Sequence, residues 1–228
     1  MKQFTRGLGK DDDFFFTAFG PEGSVTSGFV PTAEQVFDHL KSVRPGGPSA
    51  LFDAVYDAAD KLRKQRNLKK ALLIVSDGED EKSQTTYRQL RNRLREFDVQ
   101  IYAIGIANPS MDQLAGYGRW VFEDVTRQTG RRPFLMSAEA SMGRAVLAEM
   151  ARVSGGETYF PESENEPELV GICAQIAREL REQYTIGFYA ADNASKKDWH
   201  KLWVTLNRAG DPRKLSLSYR QGYRLGNK

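Results

Sequence analysis

The sequence predicts an α/β fold: a doubly wound, mostly parallel sheet with helices on both faces, followed by a small antiparallel β extension. Three observations carry this. Residues 71–75, Ala-Leu-Leu-Ile-Val, form an apolar run too short for a helix with one buried face, and β-branched Ile74 and Val75 suit a strand covered on both sides. Segments of helical period flank it with short connections, and alternation of this kind favours parallel strands joined by right-handed crossovers. From Tyr184 onward the apolar period changes to two, as in antiparallel strands.

The chain opens with residues 1–10, which read as the tail of a helix ended by glycine. Phe14, Phe15, Phe16 and Phe19 mark an aromatic strand, Gly20-Pro21-Glu22-Gly23 a turn, and residues 25–30 a second short strand. Thr32 and Gln35 fit a capping box, opening a helix with Val36, Phe37, Leu40 and Val43 on one face. Pro45-Gly46-Gly47-Pro48 ends it. Ser49 then starts a helix carrying Leu51, Val55, Ala58, Ala59 and Leu62 at helical spacing, which runs into the strand at 71–75, expected at the centre of the sheet.

Residues 86–97 repeat the helical pattern through Tyr87, Leu90, Leu94 and Phe97, and residues 99–106 form a second buried strand. Between Asn108 and Gly130 no clean period holds. Residues 122–134 nevertheless echo residues 147–159, each reading as a helix stopped by glycine and followed by a short strand, so that one copy builds the sheet edge and the other is an insertion. Residues 168–183 form the most regular helix, with Leu169, Ile172, Ile176 and Leu180 on one face. Three alternating segments finish the chain, around Tyr184, Ile186 and Phe188, around Leu202, Val204 and Leu206, and around Leu215, Leu217 and Tyr219. The expected organisation is an α/β domain over 1–183 with a C-terminal β extension over 184–228.

Composition bounds the function. With 228 residues and 40% hydrophobic content the chain buries a full core, and 33 basic against 30 acidic residues leave a net charge of +3, which demands neither nucleic acid nor membrane. Basic runs at 61–66 and at Arg88, Arg91, Arg93 and Arg95 read as solvated outer helix faces. Cys173 is the one cysteine, placed on an apolar helical stripe where packing is its role, so no intrachain disulfide forms. No apolar window is long enough to span a bilayer, and residues 1–10 lack the core of a signal peptide. Localisation is therefore left open.

The chemistry concentrates just past the strand at 71–75, where open α/β sheets place their ligands. Ser76, Asp77, Gly78, Glu79, Asp80 and Glu81 put hard oxygen ligands there. Gly46-Gly47 lacks the Lys-Ser/Thr ending of a phosphate loop, and no Gly-x-Gly-x-x-Gly follows a strand, which argues against nucleotide binding. His39 and His200 have no partnering spacing, and Trp120, Trp199 and Trp203 serve either an interface or packing.

Three segments together resemble the von Willebrand factor type A (VWA) domains: 46–54 (Gly-Gly-Pro-Ser-Ala-Leu-Phe-Asp-Ala), 71–80 and 99–106, in matching order and spacing. The carboxyl region, with Ser154-Gly155-Gly156-Glu157-Thr158-Tyr159-Phe160, residues 180–189 and Arg220-Gln221-Gly222-Tyr223, is similar to a bacterial subfamily best known from Acidobacteria. The resemblance implies a Rossmann-like sheet and a metal-ion-dependent adhesion site, in which three loops hold Mg²⁺ or another divalent cation. By matching position Ser49 stands for the second loop and Asp77 for the third. The first, an Asp-x-Ser-x-Ser motif after the first strand, does not occur upstream of Phe14, which leaves two readings: the strand and its loop lie upstream of Met1, the favoured expectation, where a signal for secretion or the periplasm would also lie, or the domain lacks the strand and has lost its metal.

Hydroxyls and one or two carboxylates suit magnesium and leave a coordination position for an Asp or Glu carboxylate of a protein partner. The resemblance thus implies a protein-binding module, not an enzyme. Each residue has a competing role: Ser49 as N-cap of the following helix, Asp77 as a solvated loop carboxylate, and Glu79, Asp80 and Glu81 as solubilising charge. Two other functions compete, a metal-dependent hydrolase using the acidic loop and nucleic-acid binding by the Arg88 to Arg95 face. The first has no nucleophile and base at recognisable spacing.

Overall fold

In a computed structural model the chain is described over residues 12–20, 23–32, 35, 36, 38, 48–106, 142–163, 165–190, 199–206 and 217–225. The element order is β1 (Thr17–Gly20), β2 (Gly23–Thr26), α1 (Leu51–Arg63), β3 (Ala71–Ser76), α2 (Tyr87–Glu96), β4 (Gln100–Gly105), α3 (Met142–Ser154), β5 (Thr158–Tyr159), α4 (Glu166–Arg181), β6 (His200–Lys201) and β7 (Gly222–Tyr223). Strands β3, β4 and β5 form a parallel sheet in that order, Ala71 opposite Gln100 and Ala103 opposite Thr158.

Period-two alternation splits the sheet's side chains between two helical layers. Ile74, Ile101 and Ala103 join α1, α2 and α3 through Leu51, Phe52, Val55, Leu90, Leu94, Leu147 and Met150. Tyr102 and Ile104 face the other way onto α4, where Cys173 and Ile176 are buried and Leu169, Ile172 and Leu180 pack beside them. Helices thus cover both faces, as the sequence predicts. Thr86 makes a full capping box with Gln89 at the start of α2, and Asn165 caps α4 with Pro167 in its first turn. Gly155, at φ +84°, ends α3 before β5, the glycine-stopped helix and short strand expected there. The other copy of that echo, at 122–134, lies outside the described residues, as do His39, Trp120 and most of the helix expected after Thr32.

Several expectations need correction. Among the described residues β3 is an edge of its sheet, and the strand in the middle is β4. Val75 remains 46% exposed, because α4 reaches Ala71 and Leu73 on that face but not the strand's upper end. The second strand spans Gly23–Thr26, shorter than expected, with Val30 bridging back to Phe14. The hairpin is pinned to α1 by Lys61, whose ammonium donates to the Ser27 carbonyl between the rings of Phe15 and Phe29, 4.9 and 5.1 Å from their centroids.

The segment at Tyr184, Ile186 and Phe188 forms no strand, since no described strand pairs with it, and all three side chains are exposed. The antiparallel pair that does form joins only His200 and Lys201 to Tyr223 and Gly222. Around it, Arg220 donates to the Arg95 carbonyl at the end of α2, Arg224 pairs with Glu96 at 3.3 Å, and Ser218 donates to Glu157 at 3.2 Å. These contacts lie at the end of the sheet where β3 and β4 begin.

The second basic run does not form one solvated face. Arg91 is 2% exposed and pairs with Glu149 of α3 at 3.0 Å, while Arg93 lies over Tyr56 and Arg95 over Trp199. Of the four arginines proposed as a nucleic-acid surface, Arg91 is therefore buried and Arg95 half-buried, while Arg88 and Arg93 stay exposed.

Candidate functional site

Past the carboxyl end of β3 the chain turns at Gly78, whose φ of +82° favours glycine. The Ser76 hydroxyl accepts from the Gly78 N–H at 3.0 Å, and Asp77 Oδ1 accepts from the Glu79 N–H at 3.0 Å, so the turn is closed by its own side chains. Gly78 lies against Gly143 in the first turn of α3, so close that a Cβ on Gly78 would fall 2.6 Å from the Gly143 Cα. Only two facing glycines allow the Asp77 turn to seat there.

Ser49 is not the N-cap of α1; that position is Ala50, without a side-chain cap. The Ser49 hydroxyl instead donates to the Glu79 carbonyl at 2.9 Å, while its own carbonyl accepts from the N–H groups of Glu81 and Lys82 at 2.9 and 3.1 Å. One peptide unit on each side of Glu79 therefore joins the two sequence-predicted residues, its N–H on Asp77 and its carbonyl on Ser49. Ser49 and Asp77 share one rim of the fold.

Sequence reasoning missed what holds that rim. Asp80 Oδ1 accepts from the Phe52 N–H at 3.0 Å and from the Ser83 hydroxyl at 2.5 Å, capping α1 from a distant loop. Reciprocally, Asp53 of α1 accepts from the N–H groups of Gln84 and Thr85, both at 2.8 Å, and its own N–H donates to Ser83 at 3.0 Å. Asp80 is thus a structural cap, not solubilising charge. A helix whose local N-cap is an alanine was the available signal, since its orphan N–H groups must be satisfied from elsewhere.

Burial raises the Asp53 carboxyl, but the Thr85 hydroxyl and the Gln84 and Thr85 N–H groups outweigh it and hold the group below its ordinary 3.8. A depressed folded value means stability that is present above the unfolded pKa and lost as pH falls through the folded one. Asp53→Asn is accordingly expected to cost about 1 kcal/mol at neutral pH and to flatten the acid side of the stability profile below about pH 4. Asp57, one turn on, is raised by burial and by the charges of Asp53 and Asp60, so Asp57→Asn shifts the profile the opposite way. Urea titrations from about pH 3 to 7 read both, and an unchanged acid limb in Asp53→Asn contradicts the assignment.

The donor set suits a hard cation in part. A hydroxyl that gives its proton to a carbonyl presents its lone pairs outward, and with the Asp77 carboxylate it supplies two of the roughly six oxygens magnesium takes. Among the described residues no group of three or more His, Cys, Asp or Glu side chains is arranged to hold a metal.

Residues 24–118, from the hairpin through Ser49, Asp77 and β4, match the family model of the von Willebrand factor type A domain. Over these residues the chain carries a VWA domain. Among solved structures it is similar to the conserved hypothetical protein BatB from Bacteroides thetaiotaomicron, at 13% identity over 79% of this chain and 84% of that one, with a TM-score of 0.53, which supports the fold alone. An aerotolerance-related membrane protein from Bacteroides fragilis NCTC 9343, carrying multiple mutations to serines, matches over the same shares at 15% identity and a TM-score of 0.49. No curated protein matches. VWA domains are typically protein-interaction modules and often bind a divalent metal. No helix among the described residues is long and apolar enough to cross a membrane.

Proposed function

We propose that this chain is a non-enzymatic, adhesion-type VWA module that grips a protein partner at the rim shared by Ser49 and Asp77. The observation that carries the reading is the Glu79 clamp, which sets the Ser49 hydroxyl and the Asp77 carboxylate beside one backbone unit at the carboxyl end of the sheet. A divalent cation, Mg²⁺ by the hardness of these ligands, would rest on the two side chains and be completed by water, by further oxygen donors and by an Asp or Glu carboxylate of the partner. The organisation that goes with it is an α/β unit over 1–183 and an appended β extension over 184–228.

Calorimetric titration of Mg²⁺ into this chain, and into a version extended upstream, tests the reading. Binding by the extended version that disappears in Asp77→Ala supports it. Turnover of simple ester or phosphoester substrates, lost in the same variant, would instead establish the hydrolase.

A further inference from the structure

The VWA domain is electrically polarised along its sheet. Between Asp60 and Asp77 no acidic residue occurs, and the ten residues 61–70 carry six cations: Lys61, Arg63, Lys64, Arg66, Lys69 and Lys70. The five residues 77–81 carry four acids and no cation. Between the two lies one six-residue strand, β3, which at about 3.3 Å per residue separates the basic end from the acidic rim by about 20 Å. That distance is roughly twice the screening length at 0.1 M salt, so a surface touching one end is largely shielded from the other.

The basic end is not simply a solvated helix terminus. Arg63 and Lys64 share Asp60, at 2.6 and 2.5 Å, but Arg66 and Lys69 are exposed without an ion pair among the described residues. Between them Leu68 stands out at 84% exposure. Lys69 also donates to the Gln183 carbonyl at 3.2 Å, which brings this loop to the start of the apolar segment where Tyr184 is 93% and Ile186 76% exposed. Protruding aliphatic and tyrosine side chains set among lysine and arginine suit an interface with charge at its surface and hydrocarbon just beneath.

We infer that the loop at 64–70, with Tyr184 and Ile186 beside it, docks on an anionic lipid surface and leaves the Ser49–Asp77 rim turned away toward its partner. The cations supply long-range attraction to lipid headgroups, and Leu68 and Ile186 supply the apolar contact that nucleic acid, with phosphates and stacked bases only, would not reward. The acidic rim adds orientation, because the same surface repels it. This docking is independent of whether the rim holds a metal.

Co-sedimentation with phosphatidylcholine vesicles, with and without about 30% phosphatidylglycerol, tests the inference at low and high salt. The whole chain is expected to bind the anionic vesicles at least tenfold more tightly than the neutral ones, and less as salt rises. Arg66→Glu with Lys69→Glu should abolish binding, whereas Leu68→Ser should weaken it several-fold while keeping the salt dependence. All these positions are exposed, so an unchanged melting temperature confirms that each variant folds. Absence of binding, equal binding to neutral vesicles, or retention in the charge-reversed variant overturns the inference. So does equal affinity for duplex DNA or polyglutamate under the same conditions, which would make the patch a general polyanion site.

Discussion

Replacing Gly78 by alanine is expected to destabilise the domain by about 3 kcal/mol and lower its melting temperature by roughly 10 °C. Two costs add. An L side chain at a φ of +82° is strained by about 1 kcal/mol, and its Cβ would press on the backbone of Gly143, which cannot yield without moving the first turn of α3. The loop relieves the clash only by swinging Asp77 off the Glu79 clamp, so any affinity for a cation or partner at the rim falls with the stability. Gly171 is the control: it lies in α4 with open space around its Cβ position, and Gly171→Ala should be neutral or stabilising by up to about 1 kcal/mol. Thermal melts of the two variants side by side decide it, and a Gly78→Ala melt within a degree or two of the parent would refute the close-packed turn.

Glu149→Ala is expected to be at least as damaging, at about 3–5 kcal/mol. Glu149 is 4% exposed and receives Arg91 at 3.0 Å from α2, as well as Arg152 at 2.6 Å from its own helix. Truncating it strands the Arg91 guanidinium, itself 2% exposed, without its counter-charge in the seam between α2 and α3. Arg152 is a third exposed and turns to water. Exchanging both buried partners for apolar groups, Arg91→Leu with Glu149→Met, should recover most of the loss, because no charge is then left desolvated. Urea unfolding of the single and double variants checks this, and a double variant as unstable as Glu149→Ala would mean that the pair specifies the helix seam in its own right.

Much of the fold was legible in the sequence because period reports which face an element buries. Leu90 and Leu94, Ile172 and Ile176, and alternate residues of β4 lie on the faces their spacing predicts. Local capping chemistry was present in the sequence at Thr86, where both halves of the box sit within four residues, although only Thr32 and Gln35 were singled out as such a box. It failed at Ser49, since the groups that satisfy α1 come from Asp80 and Ser83, about thirty positions on. The carboxyl region was the least legible: alternation there promised strands, yet a strand needs a neighbour, and Tyr184, Ile186 and Phe188 have none among the described strands.

By itself the sequence determined the α/β class, the helical layers and the location of Ser49 and Asp77 at the ends of their elements, because each follows from spacing within a short stretch of chain. Tertiary structure alone decided that β4, not β3, is the middle strand among the described residues, that Arg91 turns inward, that Asp80 caps a distant helix and that the Glu79 backbone joins the two rim residues. Spacing fixes the face a residue presents; what stands opposite that face depends on which remote segments pack there, and no local pattern carries that information.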